Sequence, residues 1–160
     1  MKNKNGEESL GRAAQIALLL DDKKAEEVMV INVSHLSNIG DCFVVATAQN
    51  KVHARALSSF IEDELVNKGE TLLRREGEGG WAVLDYGSII IHIFEHSLRE
   101  FYHLEKLWND GKNIFNLSDI KKHLGKQQKE KDIRSLKTQN MMVKANHDKN
   151  RKSKPLEKGM

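Results

Sequence analysis

Residues 81–108 read WAVLDYGSIIIHIFEHSLREFYHLEKLW, and this stretch decides the predicted fold. Two apolar segments, residues 81–86 and 88–94, lie on either side of Gly87, so they predict two strands joined by a tight reversal. The tetrapeptide SLRE that begins at Ser97 has the spacing of a capping box, which predicts the start of a helix. Five apolar residues fall on or near one face of that helix: Leu98, Phe101, Leu104, Leu107 and Trp108.

The residues before this stretch predict further elements. A first helix is predicted from a cap at Ser9 to the charged cluster at residues 21–24. Residues 28–33 and residues 42–48 are rich in β-branched residues and predict two strands, of which the second is buried on both faces. Residues 34–41, which contain Ser, Asn and Gly, predict the loop between these strands.

The longest helix of the domain is predicted between Asn50, as its cap, and Gly69, as a left-handed stop. A short edge strand is predicted at residues 74–76, and a glycine-rich turn at residues 77–80 follows it. The resulting order of helices and strands predicts an α/β fold, in which a mixed β-sheet is flanked by helices.

Charge divides the 160-residue chain into two parts. Residues 1–110 contain 12 Lys and Arg against 18 Asp and Glu, whereas residues 111–160 contain 14 against 5. The basic part has few apolar residues and cannot bury enough of them to offset the entropy of the chain. The sequence therefore predicts a flexible N-terminus at residues 1–8, a domain at residues 9–112 and a basic, largely disordered tail at residues 113–160.

The polar residues do not have the spacing that catalysis requires. Nucleotidyl transfer, which occurs in folds of this kind, needs two carboxylates at i and i+2 on one strand to hold Mg²⁺. Asp41 and Asp85 have no such partner, because Phe43 and Gly87 stand two residues after them. The sequence also contains no phosphate-binding glycine motif and no GxSxG nucleophile. We expect no catalytic residues.

The seven histidines and the single cysteine do not form a predicted metal or cofactor site. His92 and His96 are four residues apart, but they lie at the end of a strand, where this spacing does not align two imidazoles. We expect His92 to be a partly buried histidine and Cys42 to be an inert buried thiol. We therefore expect no metal and no cofactor.

Recognition of a partner is the function that the residues favour. Both tryptophans and both tyrosines of the chain lie within residues 81–108. Aromatic side chains, together with Arg, are the residue types that anchor protein interfaces. Trp108 is expected in the core beside Leu104 and Leu107, whereas Trp81 is expected at the surface.

The same region carries a resemblance to a known family. The chain resembles the ribosomal silencing factor family, also called the Iojap-like family, over about residues 10–110, with its motifs in order and at the family's spacing. The matching features are Gly40, Asp41, residues 43–47, His53, Ala56, Leu57, Glu76, Gly77, Trp81, residues 84–87, Ile91, His92, Arg99, Tyr102, Leu104, Glu105, Leu107 and Trp108.

This resemblance implies a nucleotidyltransferase-like fold without the catalytic carboxylates. It also implies a homodimeric factor that binds the large ribosomal subunit through its fourteenth ribosomal protein, blocks joining of the small subunit and represses translation under nutrient limitation. Six positions match the family's shared surface and are the candidate partner-binding residues: Trp81, Asp85, Tyr86, His92, Arg99 and Tyr102. Three alternatives remain open: a large-subunit assembly factor, a general RNA-binding protein and, least favoured, a nucleotidyltransferase-type enzyme.

Charge and hydropathy also predict the role of the tail and the compartment. A flexible tail of net charge +9 beside a ribosome would be drawn to rRNA phosphates by counterion release, although a tail that only aids solubility is equally compatible with the sequence. The opening residues lack the apolar segment of a secretory signal, and no apolar run is long enough to span a membrane. We expect a cytoplasmic protein that does not enter a membrane.

Overall fold

The computed structural model describes residues 4–77 and 80–153 of the chain. The helices are α1 (Lys4–Asp22), α2 (Lys51–Asn67), α3 (His96–Tyr102), α4 (Leu104–Leu107) and α5 (Leu117–Ser153). The strands are β1 (Glu26–Asn32), β2 (Cys42–Ala48), β3 (Arg74–Glu76), β4 (Trp81–Asp85), β5 (Ile89–Glu95) and β6 (Ile114–Asn116). The five strands that the sequence predicts are all present, and β6 is an additional one.

The strands form one six-stranded mixed sheet in the order β3-β4-β5-β2-β1-β6. Strands β2 and β5 run parallel, and the other neighbouring pairs run antiparallel. Because parallel neighbours need a crossover connection, α2 and the β3–β4 pair lie between β2 and β5 along the chain. Helices α1 and α2 pack against the strands. The predicted fold class, a mixed β-sheet flanked by helices, is confirmed.

The two central strands are buried along almost their whole length. All seven residues of β2 are buried, and so are six of the seven residues of β5. Their sequences, CFVVATA and IIIHIFE, are nearly continuous apolar runs, as expected for strands that are covered on both faces. The burial of these runs is what fixes the centre of the sheet.

One face of the sheet carries a distinct apolar cluster. The parallel register places Phe43 beside Ile90 and Thr47 beside Phe94, so side chains from both strands meet on this face. The buried members of the cluster are Ile31, Val33, Phe43, Val45, Ile90, Phe94 and Leu104. None of them belongs to α1 or α2, so these long helices cover the opposite face. The short helices α3 and α4 cover the cluster, and the half-buried Trp81 and Trp108 pack at its margin.

Helix α1 begins earlier than the sequence predicts. Ser9 lies inside the helix, so its assignment as the N-cap is wrong, and residues 4–8, for which the sequence predicts a flexible N-terminus, belong to the same helix. The Ser9 side chain is buried and donates a hydrogen bond to Asp41 Oδ2 at 2.9 Å. Because this hydroxyl binds a carboxylate on the loop before β2, it is a packing residue of α1. Residues 1–3 lie outside the described residues.

The limits of α2 follow the sequence prediction. Asn50 has an extended backbone and its Oδ1 accepts a hydrogen bond from the His53 backbone N–H at 2.8 Å, which satisfies one free donor of the first turn. At the other end, Gly69 has a φ of 80°, a left-handed conformation that glycine adopts without strain. Asn50 is therefore confirmed as the cap and Gly69 as the stop.

The helix after β5 differs from the prediction in two ways. Ser97 is inside α3, and Glu95 occupies the N-cap position without a side-chain hydrogen bond, so the predicted capping box is wrong. A left-handed residue, His103 with a φ of 46°, then separates α3 from α4. The predicted single apolar face is therefore broken, and only Leu104 among the three leucines of that face is buried.

The segment after residue 112 also differs from the prediction. Strand β6 pairs with β1, so the sheet extends beyond the expected domain boundary. Contacts instead divide the chain after Lys121. Residues Leu117–Ser153 form one helix, α5, where the sequence predicts a largely disordered tail.

Helix α5 has a simple physical cause. Its sequence is rich in Lys, Gln, Leu and Met, which have high intrinsic helix propensity, and its lone glycine before residue 153 is Gly125. Every side chain from residue 128 to residue 146 is exposed. The prediction that this part of the chain buries little apolar surface therefore agrees with the structure, even though its backbone is helical. Within the described residues, no helix is both long and apolar enough to cross a membrane.

Candidate partner-binding surface

Trp81 is the centre of an aromatic group at the start of β4. It pairs with Phe94 of β5 across the antiparallel ladder, and its ring stacks on the Phe94 ring with centroids 4.7 Å apart. The Tyr102 ring at the end of α3 lies against it with a centroid distance of 4.7 Å. Trp81 is half-buried, so one side of the indole packs on the core cluster and the rest is accessible.

Two aromatic residues of α3 extend this group into solvent. Tyr102 is 44% exposed and Phe101 is 77% exposed, and their rings meet edge to face at 5.1 Å. We call Trp81, Phe101 and Tyr102 the aromatic surface. Leu107 of α4 is 76% exposed as well. Clustered exposed aromatic groups of this kind are the anchors that protein interfaces use.

His92 lies beneath the aromatic surface. The side chain is buried, and its Nδ1 accepts a hydrogen bond from Trp81 Nε1 at 3.3 Å. Since Nδ1 is the acceptor, the ring proton is on Nε2, which has no partner among the described residues. Burial lowers the pKa of His92 to about 4, so the imidazole is neutral at physiological pH. His92 therefore fixes the orientation of Trp81, and its burial keeps it from direct contact with a partner.

Arg99 is buried too, contrary to the expectation that it faces a partner. Its side chain is 2% exposed, its Nη1 donates to Thr47 Oγ1 at 3.0 Å, and its Nε donates to Glu105 Oε1 at 3.3 Å. The left-handed His103 turns the chain so that Glu105 of α4 points back to Arg99 of α3. Arg99 is therefore a positioning residue that ties both short helices to β2 and holds Tyr102 outward.

Asp85 and Tyr86 lie at the other end of β4. Asp85 lies four positions after Trp81 in the chain, which corresponds to about 13 Å along a strand. The Asp85 Oδ1 accepts a hydrogen bond from the Gly87 backbone N–H at 2.8 Å and so stabilises the hairpin turn. Tyr86 is 7% exposed, and burial raises the pKa of its hydroxyl to about 12, with Glu62 adding to the effect. The structure thus separates these two residues from the aromatic surface.

The structure therefore brings together Trp81, Tyr102, His92 and Arg99, but only Tyr102 and part of Trp81 are accessible. The sequence does not identify Phe101 and Leu107 as surface residues, because both fall on the apolar face of the single helix that it predicts. The break at His103 has little sequence signal, because positive φ is uncommon for any non-glycine residue even though histidine is among the enriched types. Trp108 does lie against the core as predicted, since its ring meets Phe43 edge to face at 5.3 Å.

The described residues offer little for metal or redox chemistry. They contain no group of three His, Cys, Asp or Glu side chains placed to hold a metal ion. Cys42 is fully buried in β2, and burial, together with the nearby Asp41 charge, raises the pKa of its thiol to about 12. A thiol with so high a pKa is a poor nucleophile at physiological pH, because the thiolate is the reactive form.

A cleft of about 610 Å³ lies between α2 and the β3–β4 strands, on the other side of Trp81. Its charged lining residues are Lys51, Arg55, Arg75 and Glu76, and Ser58 and Ser59 supply hydroxyl groups. Arg75 is already engaged by both carboxylate oxygens of Glu62. Among the described residues that line the cleft, Glu76 is the one carboxylate, so these residues do not supply the paired acids that would hold Mg²⁺ for nucleotidyl transfer.

Comparison with known proteins gives consistent results. A family model described as "Ribosomal silencing factor during starvation" matches residues 6–154. A Halalkalibacterium halodurans protein named "Ribosomal silencing factor RsfS" is 31% identical over 97 residues, which cover 59% of this chain and 83% of the relative. A Treponema pallidum protein of the same name is 34% identical over 104 residues, which cover 62% and 92%. "Protein Iojap, chloroplastic" of Arabidopsis thaliana is 31% identical over 108 residues, which cover 67% and 45%.

Two solved structures share the fold. A crystal structure of a Chromobacterium violaceum protein superposes with a TM-score of 0.58 at 25% identity and covers 61% of this chain and 83% of that one. A crystal structure of a Bacillus halodurans protein gives a TM-score of 0.53 at 31% identity and covers 59% and 90%.

Proposed function

The chain belongs to the ribosomal silencing factor family, and we propose that it binds the large ribosomal subunit through the fourteenth protein of that subunit and blocks joining of the small subunit. Translation would thereby be repressed when nutrients are limiting. The action needs no catalysis, and its site would be the cytoplasm. The named relatives are silencing factors, which agrees with a regulatory role.

The aromatic surface is the observation that carries this proposal. Phe101 and Tyr102 are exposed, and the half-buried Trp81 joins them. A soluble domain that exposes two large adjoining aromatic groups loses hydrophobic stabilisation unless a partner covers them. Interface hot spots are typically such aromatic anchors, each worth about 2 kcal/mol or more of binding free energy.

The scaffold beneath the surface supports a binding role. Trp81 is fixed by stacking on Phe94 and by its hydrogen bond to His92, and Tyr102 packs on Trp81. Arg99 anchors α3 to β2 through Thr47. Because these contacts already restrict the aromatic side chains in the free protein, little conformational entropy is lost when a partner binds.

Inhibition would follow from occupancy alone. A domain of about 120 residues has a radius of gyration of about 14 Å, so a bound copy would hold two facing ribosomal surfaces apart by much more than a contact distance. No substrate is turned over in this mechanism. Inhibition should therefore depend on the occupancy of the large subunit and should be relieved when the factor dissociates.

We also propose that the free protein is a homodimer. The two edges of the sheet differ in character: β3 is entirely exposed and reads RRE, whereas β6 contains Ile114 and Phe115. Charged edge strands disfavour pairing with a second sheet, so β6 is the edge better suited to self-association. Sedimentation velocity across a range of protein concentrations tests this, since a monomer at all concentrations would contradict it.

The docking proposal is tested with Tyr102→Glu. A charge at this exposed position should weaken binding to purified large subunits about 30-fold or more, which corresponds to the loss of about 2 kcal/mol at a hot spot. Val66→Glu on α2 is the matched control, because Val66 is an exposed apolar residue outside the aromatic surface. Co-sedimentation measures binding, and sucrose-gradient profiles measure subunit joining.

Two results would contradict the proposal. Unchanged large-subunit binding by Tyr102→Glu would remove the aromatic surface from the interface. Binding to the isolated fourteenth protein that is equally weak for wild type and variant would show that this protein is not the contact. Far-UV circular dichroism of both variants establishes that neither substitution unfolds the domain.

A further inference from the structure

Helix α5 carries a row of lysines that the proposed docking surface does not use. We propose that Lys122, Lys126, Lys129, Lys137 and Lys144, which we call the lysine stripe, bind the phosphate backbone of RNA. The choice of RNA over another polyanion rests on the proposed function, which places the chain on a ribosome. The binding chemistry itself rests on α5.

The spacing of the five lysines puts them on one side of the helix. Each residue of an α-helix advances by about 100°, so these five positions fall within about 80° of one another. With a rise of 1.5 Å per residue, the stripe from Lys122 to Lys144 is about 33 Å long. Such a row of cations can follow a nucleic-acid backbone over several successive phosphates.

The stripe is available for binding. All five lysines are exposed, and none forms an ion pair with a side chain described up to residue 146. Between residues 122 and 146, seven Lys and Arg stand against the two acids Glu130 and Asp132. Asp132 lies away from the lysine stripe, where it accepts a hydrogen bond from Gln128, and Glu130 lies beside the stripe. The net charge of this part of the helix therefore attracts polyanions.

The apolar residues argue against an acidic membrane as the ligand. A helix that lies on a membrane needs its apolar side chains together on the side opposite its cations. Here Ile133 and Leu136 fall on the same side as the lysine stripe, while Met141 and Met142 point elsewhere around the helix axis. All four are exposed. This distribution gives no separate apolar face, so a hydrated phosphate backbone fits the helix better than a lipid surface.

The proposal predicts a specific salt dependence. Each lysine that neutralises a phosphate releases a counterion, which gives a slope of log K against log salt of about −0.7 to −0.9 per contact. Five contacts correspond to a slope of about −3.5 to −4.5. Affinity for RNA should then fall about 100- to 500-fold between about 50 and 200 mM salt.

The experiment measures binding of the full-length protein to a labelled RNA hairpin by fluorescence anisotropy over this salt range. The stripe variant is Lys122→Gln, Lys129→Gln and Lys137→Gln, and the control is Lys121→Gln, Lys131→Gln and Arg134→Gln. Both remove three positive charges from α5, and Gln keeps a high helix propensity. The stripe variant should lose about 2 to 3 from the magnitude of the slope, whereas the control should lose less than 1.

Other outcomes would overturn the proposal. Equal losses in the two variants would show that charge alone matters and that no face of α5 is preferred. Weak RNA binding by wild type, or tighter binding to vesicles of acidic phospholipid than to RNA, would exclude RNA as the ligand. Because no ribosome is present in this assay, Tyr102→Glu should bind the hairpin as wild type does. The RNA assay therefore tests the lysine stripe, and the large-subunit assay with Tyr102→Glu tests the docking proposal, so either proposal can fail without the other.

Discussion

His92 should make the domain sensitive to mild acid. The imidazole is buried among aromatic rings, with the Phe43 ring edge-on at 5.0 Å, and its Nδ1 accepts the Trp81 N–H. Protonation would place a hydrogen on Nδ1, so that this N–H and the Trp81 N–H, both donors, would face each other in a buried site. Burial therefore lowers the pKa from 6.5 to about 4.

The sign and size of the effect follow from this difference in pKa. As the pH falls below 6.5, the unfolded chain binds a proton at His92 while the folded domain does not, so the free energy of unfolding decreases. The contribution of the neutral His92 to the free energy of unfolding is fully present above pH 6.5 and is lost progressively as the pH falls to about 4. The loss is about 2 kcal/mol at pH 5 and about 3 kcal/mol below pH 4.

The variant His92→Phe isolates this contribution. Phenylalanine keeps a ring in the cluster but cannot titrate, although the lost acceptor for Trp81 should cost about 1 kcal/mol at neutral pH. Urea denaturation followed by far-UV circular dichroism at about pH 7.5 and pH 5 gives the free energy of unfolding. Wild type should lose about 2 kcal/mol more than His92→Phe between these values. Other groups titrate equally in both proteins and cancel.

One result would refute this account of the pH dependence. If His92→Phe loses as much stability on acidification as wild type, the assignment of a buried neutral imidazole under Trp81 is refuted.

Two further substitutions test the scaffold by urea denaturation at neutral pH. Arg99→Met should cost about 3 kcal/mol, because it leaves the largely buried Glu105 carboxylate without its cation and removes the hydrogen bond to Thr47. A loss below about 1 kcal/mol would contradict the positioning role of Arg99. Asn50→Ala should cost about 1 kcal/mol through loss of the cap to the His53 N–H, and no loss would show that the first turn of α2 does not depend on this cap.

Much of the sheet could be predicted because its signals are local. The apolar runs of β2 and β5 are long enough to indicate buried strands, and Gly87 marks the reversal between β4 and β5. The cap at Asn50 likewise depends on a hydrogen bond to a residue three positions away. Strand β6 was missed because its three residues form a strand only by pairing with β1, far away along the chain.

The helical errors have a common cause. Ser9 and Ser97 have the residue type of a cap, but tertiary contacts and helix geometry extend both helices past them. Residues 117–153 lack a core-forming pattern, which indicates correctly that their side chains stay exposed. Intrinsic helix propensity then determines the backbone conformation of these residues. An exposed helix can form without an apolar face when its residues favour the helical conformation.

The sequence by itself determined the fold class, the concentration of aromatic residues in residues 81–108 and the basic character of the chain beyond residue 110. Only the tertiary structure decided which of those residues are accessible. Helical periodicity placed Phe101 on one face with Leu104, and the abundance of arginine at interfaces favoured Arg99 as a contact residue, but Phe101 is exposed and Arg99 is buried. The reason is the left-handed turn at His103, whose effect on α3 and α4 depends on the Arg99–Glu105 contact that folding creates.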